Sequence, residues 1–253
     1  VPLRIRSLVG LIPLIAVEVL QRDAIAGLPG FRKRLEWFLA NRPDLARHIS
    51  YFEAVPGRGS GGSARLLAIP ARGRLERVLR YLLDEEEFLS PFGVRSLSKY
   101  HAAHPFVLDF DGQQHSVAYA PGESNSPIFG GNSNWRGPVW LPMNFLLVEA
   151  LERYHHFYGD SLQVECPTGS GRWVDLGEAA HEILRRLVRL FLPGQDGMRP
   201  ADGASPHAGA VMPDRVLFHE YFHADTGAGL GASHQTGWTA LAATCLEKLA
   251  RER

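Results

Sequence analysis

The chain has 253 residues, 45% hydrophobic and 21% charged, enough apolar material for a sizeable core and too much for a disordered chain. Lysine plus arginine equals aspartate plus glutamate at 27 each, so no net field favours nucleic acid, an anionic membrane or a polyanionic substrate, and a small or neutral partner is expected. Two cysteines, Cys166 and Cys245, exclude a disulfide framework and a cysteine-rich zinc module.

The sequence opens on Val1 rather than methionine, inside an apolar, helix-like run, so a piece of a longer polypeptide is expected. Arg4 and Arg6 ahead of that run imitate a secretory signal, but Pro13 interrupts it, Glu18 follows it, and it is too short to span a bilayer. A helix over residues 7–20 is predicted instead. Phe31, Leu35, Phe38 and Leu39 mark a second helix. Residues 57–63, GRGSGGS, read as a flexible insert. A short strand is predicted at 66–69, and Leu75, Val78, Leu79, Leu82 and Leu83 mark a third helix.

Two strands at 106–110 and 115–119 flank Asp111-Gly112, a hairpin signal. A fourth helix is predicted from about Val139 to Tyr158, a fifth from Leu176 to Phe191 before Pro193-Gly194, and a last one from Trp238 to Leu249. The chain is therefore mainly helical, with connections at 90–133 and 193–219 far longer than those of a simple bundle. Long loops on a helical scaffold usually carry function.

Residues 219–223 read His-Glu-Tyr-Phe-His, the H-E-x-x-H pattern in which a helix sets two imidazoles one turn apart for zinc. The glycines at 227, 229 and 231 argue against a helix continuing through His223, since each costs about 1 kcal/mol. Residues 132–140, Asn-Ser-Asn-Trp-Arg-Gly-Pro-Val-Trp, gather indoles, amides and a guanidinium ahead of a helix. Sugar recognition uses this mixture, because pyranose faces stack on aromatic rings while hydroxyls need fixed donors and acceptors; ordinary core packing would use the same tryptophans. Phe218 to His223, then His234, Gln235 and Trp238, form a second polar and aromatic cluster in which Glu220 is suited to acid or base chemistry.

With both clusters in view, the chain resembles the C-terminal catalytic region of glycoside hydrolase family 63, the family of processing α-glucosidase I and its bacterial relatives. The resemblance is carried by Gly93-Val-Arg-Ser-Leu-Ser98, the 132–140 segment, Tyr158-Gly-Asp160 with Val164-Glu-Cys-Pro-Thr-Gly169, and Phe218-His-Glu-Tyr221 through Trp238; residues 8–14 add a less specific match. It implies an all-α fold, an (α/α)6 toroid of which about half is present, with residues 1–253 forming the C-terminal part of a single catalytic domain and short β-hairpins in its long loops.

The resemblance further implies inverting hydrolysis of an α-glycosidic bond in an oligosaccharide or a small α-glucoside or α-mannoside. Glu220 takes the general base position. The general acid, an aspartate, falls upstream of Val1, and Asp109, Asp111 and Asp225 do not sit in the acid motif. Trp135, Arg136 and Trp140 take sugar-pocket positions, with Tyr221, Gln235 and Trp238 beside them and Glu123 as a further candidate. Neither cofactor nor metal is expected. The expected partners are a carbohydrate and the remainder of the polypeptide N-terminal to Val1, not nucleic acid or membrane, and the expected location is the bacterial cytoplasm. Two alternatives stay open: a carbohydrate-binding fragment without turnover, because the acid is missing, and a zinc hydrolase using His219, Glu220 and His223.

Overall fold

In a computed structural model of the chain, the residues described are 3–46, 49–52, 64–127, 133–195, 197–203 and 215–251. The insert expected at 57–63 lies outside them. The helix predicted over residues 7–20 does not form. Two short 3-10 turns, Leu8–Gly10 and Ile12–Leu14, lead into strand β1, Val17–Gln21. Pro13 has no amide hydrogen for an α-helical ladder, and the β-branched Val17 and Val19 favour extended backbone.

After β1 come the short helix α1 (Arg22–Ala26), α2 (Pro29–Asn41), α3 (Pro43–Ala46) and strands β2 (Ile49–Phe52) and β3 (Ala64–Ala68). The strands form an antiparallel sheet in the order β1-β3-β2, with Val17 opposite Ala68 and Ile49 opposite Leu67. Of these strands the apolar pattern predicts β3 alone, at 66–69. A purely helical class therefore misses this sheet.

The main body is helical, and each helix follows its apolar spacing. Helix α4 (Arg72–Leu82) buries Leu75, Leu79 and Leu82; α5 (Leu141–Tyr158) buries Leu147, Ala150, Leu151 and Tyr154; α6 (Leu176–Arg189) buries Ala180, Ile183, Leu184 and Leu187. Pro142 occupies the first turn of α5, where a missing amide hydrogen costs nothing. Asp175 caps α6, its Oδ1 accepting the Glu178 amide at 2.9 Å. A short turn α7 (Thr236–Thr239) precedes α8 (Leu241–Ala250), which buries Ala242 and Cys245 against the same core.

Antiparallel hairpins punctuate the helices: β4 (Leu89–Ser90) with β5 (Gly93–Val94), β6 (Phe106–Phe110) with β7 (Gln113–Val117), β8 (Gln163–Glu165) with β9 (Trp173–Asp175), and β10 (Tyr221–Phe222) with β11 (Gly229–Leu230). Asp111 and Gly112 both adopt positive φ, at 50° and 72°, as a two-residue hairpin turn requires. The second predicted strand ends earlier, at Val117. Helices with short antiparallel hairpins suit a helical glycosidase fold. Among the described residues, no helix is long and apolar enough to cross a membrane.

Candidate functional site

The candidate site is assembled where three distant segments are stitched together by backbone. Val139 exchanges hydrogen bonds with Phe222 in both directions at 2.9 Å and also bridges Arg95. That pairing places the residues before α5 beside β10. Trp140 consequently stacks on Tyr221, with ring centroids 4.8 Å apart, and Trp135 stacks on Trp140 at 3.9 Å with only 5° between planes. Trp238 meets Trp140 edge-on at 6.3 Å. Trp140 is thus enclosed between Trp135 and Tyr221, and the half-buried Trp135 and Trp238 present the rings that a ligand can reach.

Asn134 organises this group. It is fully buried, and its Nδ2 donates to the carbonyls of Ala120 and Gly122, both at 2.7 Å. Its Oδ1 accepts from the Arg136 amide at 2.9 Å and from Arg136 Nε at 3.3 Å, while its carbonyl accepts Trp140 Nε1 at 3.1 Å. A buried amide satisfied on both ends ties the 120–122 loop to the tryptophan segment.

Arg136 is buried, and burial lowers its proton affinity from the ordinary arginine value. Its Nη1 and Nη2 donate to Ser126 Oγ and Ser124 Oγ, each at 3.1 Å. The guanidinium therefore braces the loop that carries Glu123. Gly137 lets the loop backbone come this close: a Cβ there would stand 2.7 Å from the Ala120 carbonyl oxygen.

Glu220 is half-buried immediately before β10. Its Oε1 accepts from Ser133 Oγ at 2.8 Å, its Oε2 accepts from the Ala232 amide at 3.3 Å, and its carbonyl accepts Trp238 Nε1 at 3.1 Å. Gly231 is required beside it, with φ of +68° and a Cβ position 2.7 Å from both Glu220 Oε2 and the Tyr221 ring. The carboxylate is thus oriented through both of its oxygens. Tyr221 is fully buried, and its hydroxyl donates to Glu123 Oε2 at 2.8 Å. Burial, then the hydrogen bond and charge of Glu123, and also the charge of Glu220, push the Tyr221 phenol well above its ordinary value, so it remains a neutral donor.

Sequence-predicted residues Glu123, Trp135, Arg136, Trp140, Glu220, Tyr221 and Trp238 come together here. Gln235 stands exposed at the edge, its backbone N–H donating to the Phe218 carbonyl at 2.6 Å ahead of α7. Asn132 lies outside the described residues. The sequence pattern gives Ser133, Ser124, Ser126 and Gly231 no role, because what they do depends on contacts between separate segments, up to 87 residues apart for Ser133 and Glu220, rather than on any local pattern. Asp225 is engaged elsewhere, accepting from Tyr119 at 3.0 Å and facing Arg95 Nη2 at 3.5 Å.

The H-E-x-x-H segment is not helical, since Tyr221 and Phe222 form β10. Extended backbone separates residues four apart by about 13 Å, where one helical turn would set them about 6 Å apart. His223 Nδ1 accepts the amides of Asp225 and Thr226 at 3.2 and 3.3 Å, and among the described residues no cluster of three His, Cys, Asp or Glu could hold a metal ion.

The chain is 49% identical over 96% of its length to an uncharacterized protein of Saccharomyces cerevisiae. It is 27% identical over 67% of its length to a probable mannosyl-oligosaccharide glucosidase of Schizosaccharomyces pombe, and 25% identical over 68% to the mannosyl-oligosaccharide glucosidase of S. cerevisiae. It spans 22%, 15% and 15% of these three proteins. The expectation of a bacterial cytoplasmic protein is overturned by them, since all three are yeast proteins. The similarity to processing glucosidases agrees with the family 63 resemblance carried by the tryptophan and Glu220 segments. Residues 45–239, which contain every element of the site, match the mannosylglycerate hydrolase MGH1-like glycoside hydrolase domain, and the chain belongs to that glycosidase family.

Proposed function

We propose that the chain is the base-carrying part of an inverting α-glycoside hydrolase, with Glu220 as the general base. The observation that supports this most directly is a carboxylate oriented by the Ser133 hydroxyl and the Ala232 amide beside three packed indoles. In this reading Glu220 takes a proton from a water whose oxygen bonds to the anomeric carbon. The glycosidic C–O bond breaks on the opposite face, and an acid protonates the departing oxygen.

The chain spans roughly a fifth or less of its relatives, so we place the acid on another part of a longer polypeptide, whose helices complete a toroid with α4, α5, α6 and α8. Trp135 and Trp238 supply stacking surfaces for the sugar. Trp140 and Arg136 hold those surfaces and the 120–126 loop in place, and Glu123 fixes the Tyr221 hydroxyl. The substrate class is an α-glucoside or α-mannoside, free or at the end of an oligosaccharide, and its neutrality matches the absence of net charge on the chain.

The test is Glu220→Gln in the full-length protein, assayed on α-glucosides and α-mannosides with the product anomer followed by NMR. Loss of rate by about 100-fold to 10,000-fold is expected, with the β-anomer released first by the parent. Undiminished hydrolysis by the variant, or first release of the α-anomer, would overturn the assignment.

A further inference from the structure

The segment 164–169 takes no part in the aromatic group. With the β8–β9 hairpin it forms one wall of a separate cleft of about 520 Å3, and α4 forms the other. Alternation along the hairpin explains the lining. Val164 and Val174 are buried, so Gln163, Glu165 and Trp173 lie on the outer face, with Trp173 directly opposite Glu165 in the register. Trp173 is 63% exposed and lines the cleft. Across the cleft Glu76 and Arg80 stand one turn apart on the outer face of α4, whose Leu75 and Leu79 point into the core.

The walls are held in position by the fold. Thr168 donates through its amide to the Leu83 carbonyl and through Oγ1 to the Arg80 carbonyl, both at 2.9 Å, which pins the hairpin loop to the end of α4. Glu165 Oε1 accepts the Gly171 amide at 2.6 Å, and the Gly169 and Gly171 amides keep its carboxyl below the ordinary range. The lining also narrows the ligand. Two carboxylates disfavour a simple anion, and Arg80 disfavours a simple cation. An exposed indole surrounded by a guanidinium, an amide, carboxylates and the Thr168 hydroxyl matches the apolar face and hydroxyls of a neutral sugar.

The hairpin follows the C-terminal end of α5, whereas Trp135 and Trp140 precede its N-terminal end; its 18 residues rise about 27 Å. We propose that this cleft is a second carbohydrate-binding site, with Trp173 as its stacking platform, that holds a neutral oligosaccharide without cleaving it. The inference stands on the cleft's own lining and does not depend on Glu220 acting as a base.

Fluorine NMR of the full-length protein labelled with fluorotryptophan tests it, with the intact probe quantified by proton NMR at each titration point. The chain has five tryptophans, and Trp173→Phe assigns the relevant resonance. Titration with maltotriose or α-mannotriose should shift the Trp173 signal saturably, and Arg80→Met should weaken that response about tenfold, the loss expected for one charge-assisted hydrogen bond. Both altered side chains are at the surface, and circular dichroism melting verifies folding. A Trp173 signal unmoved by both sugars, or one whose titration is the same after Arg80→Met, would overturn the proposal. Hydrolysis by the parent protein is read separately, so failure here and failure of the catalytic reading give different results.

Discussion

Helices α2 and α6 both carry apolar residues at helical spacing, far more sharply confined to one face in α6, and they end differently as structure. Both form where that spacing predicts. Helix α6 buries Leu176, Ala180, Ile183, Leu184 and Leu187 between α5 and α8, whereas α2 buries none of its residues and touches the short α1 and α3. Phe31 and Trp37 of α2 are exposed, the latter at 61%. Periodicity therefore locates a helix, but burial depends on a partner whose surface matches it. Most of a helix's stability in a folded chain comes from that packing rather than from propensity.

The strongest challenge to this contrast is Leu184→Ala. Removing a fully buried side chain from α6 is expected to cost about 2–5 kcal/mol in urea unfolding; a cost under about 1 kcal/mol would show that α6 is no better packed than α2.

A smaller effect is expected at the junction of α5 and α8, where Lys248 Nζ lies 2.6 Å from Glu149 Oε1 and from Glu152 Oε2. Burial alone would raise the Glu149 carboxyl, but hydrogen bonds and charge from Lys248 and Arg153 hold it below 4.5. Burial alone would lower Lys248, but the two glutamates hold it above 10.5. The Glu149 contribution is complete above 4.5 and is lost as pH falls through its depressed folded value; that of Lys248 is complete below 10.5 and is lost as pH rises through its raised one. Lys248→Met should therefore cost about 1 kcal/mol or less at neutral pH and weaken both limbs of the melting profile. An unchanged profile would mean that α8 is held by its apolar face alone.

The smallest effect is expected at Trp37→Ser in α2, within about 0.5 kcal/mol by the same unfolding assay. A larger loss would give α2 a packing role like that of α6.

The same distinction governs how much of the site was legible. Trp135, Trp140, Glu220 and Trp238 stand out because two short segments concentrate indoles, amides and a carboxylate, and chemistry-bearing clusters of this kind are local. Asn134 reads in the sequence only as one amide of that cluster, and Ser133 carries no signal at all, since their roles appear only when partners arrive from elsewhere: Ala120 and Gly122 for the one, Glu220 for the other. Arg136 shows the opposite difficulty. Its proximity to two tryptophans suggests a ligand contact, yet its donors reach Ser124 and Ser126 and brace a loop. The β1-β3-β2 sheet was hidden because its outer strands lie on either side of α1, α2 and α3, and apolar runs of that length fit helix and strand equally well.

By itself, the sequence determined the positions of α4, α5, α6 and α8, the Asp111-Gly112 hairpin and the two segments that carry the site, because apolar period, turn chemistry and side-chain type act over a few residues. The tertiary structure decided which tryptophan faces remain available, that Glu220 is oriented by Ser133 and the Ala232 amide, and that residues 219–223 are too extended at β10 for a helical zinc site. Those outcomes rest on backbone pairing between Val139 and Phe222, 83 residues apart, and a pairing of that range leaves no trace in local composition.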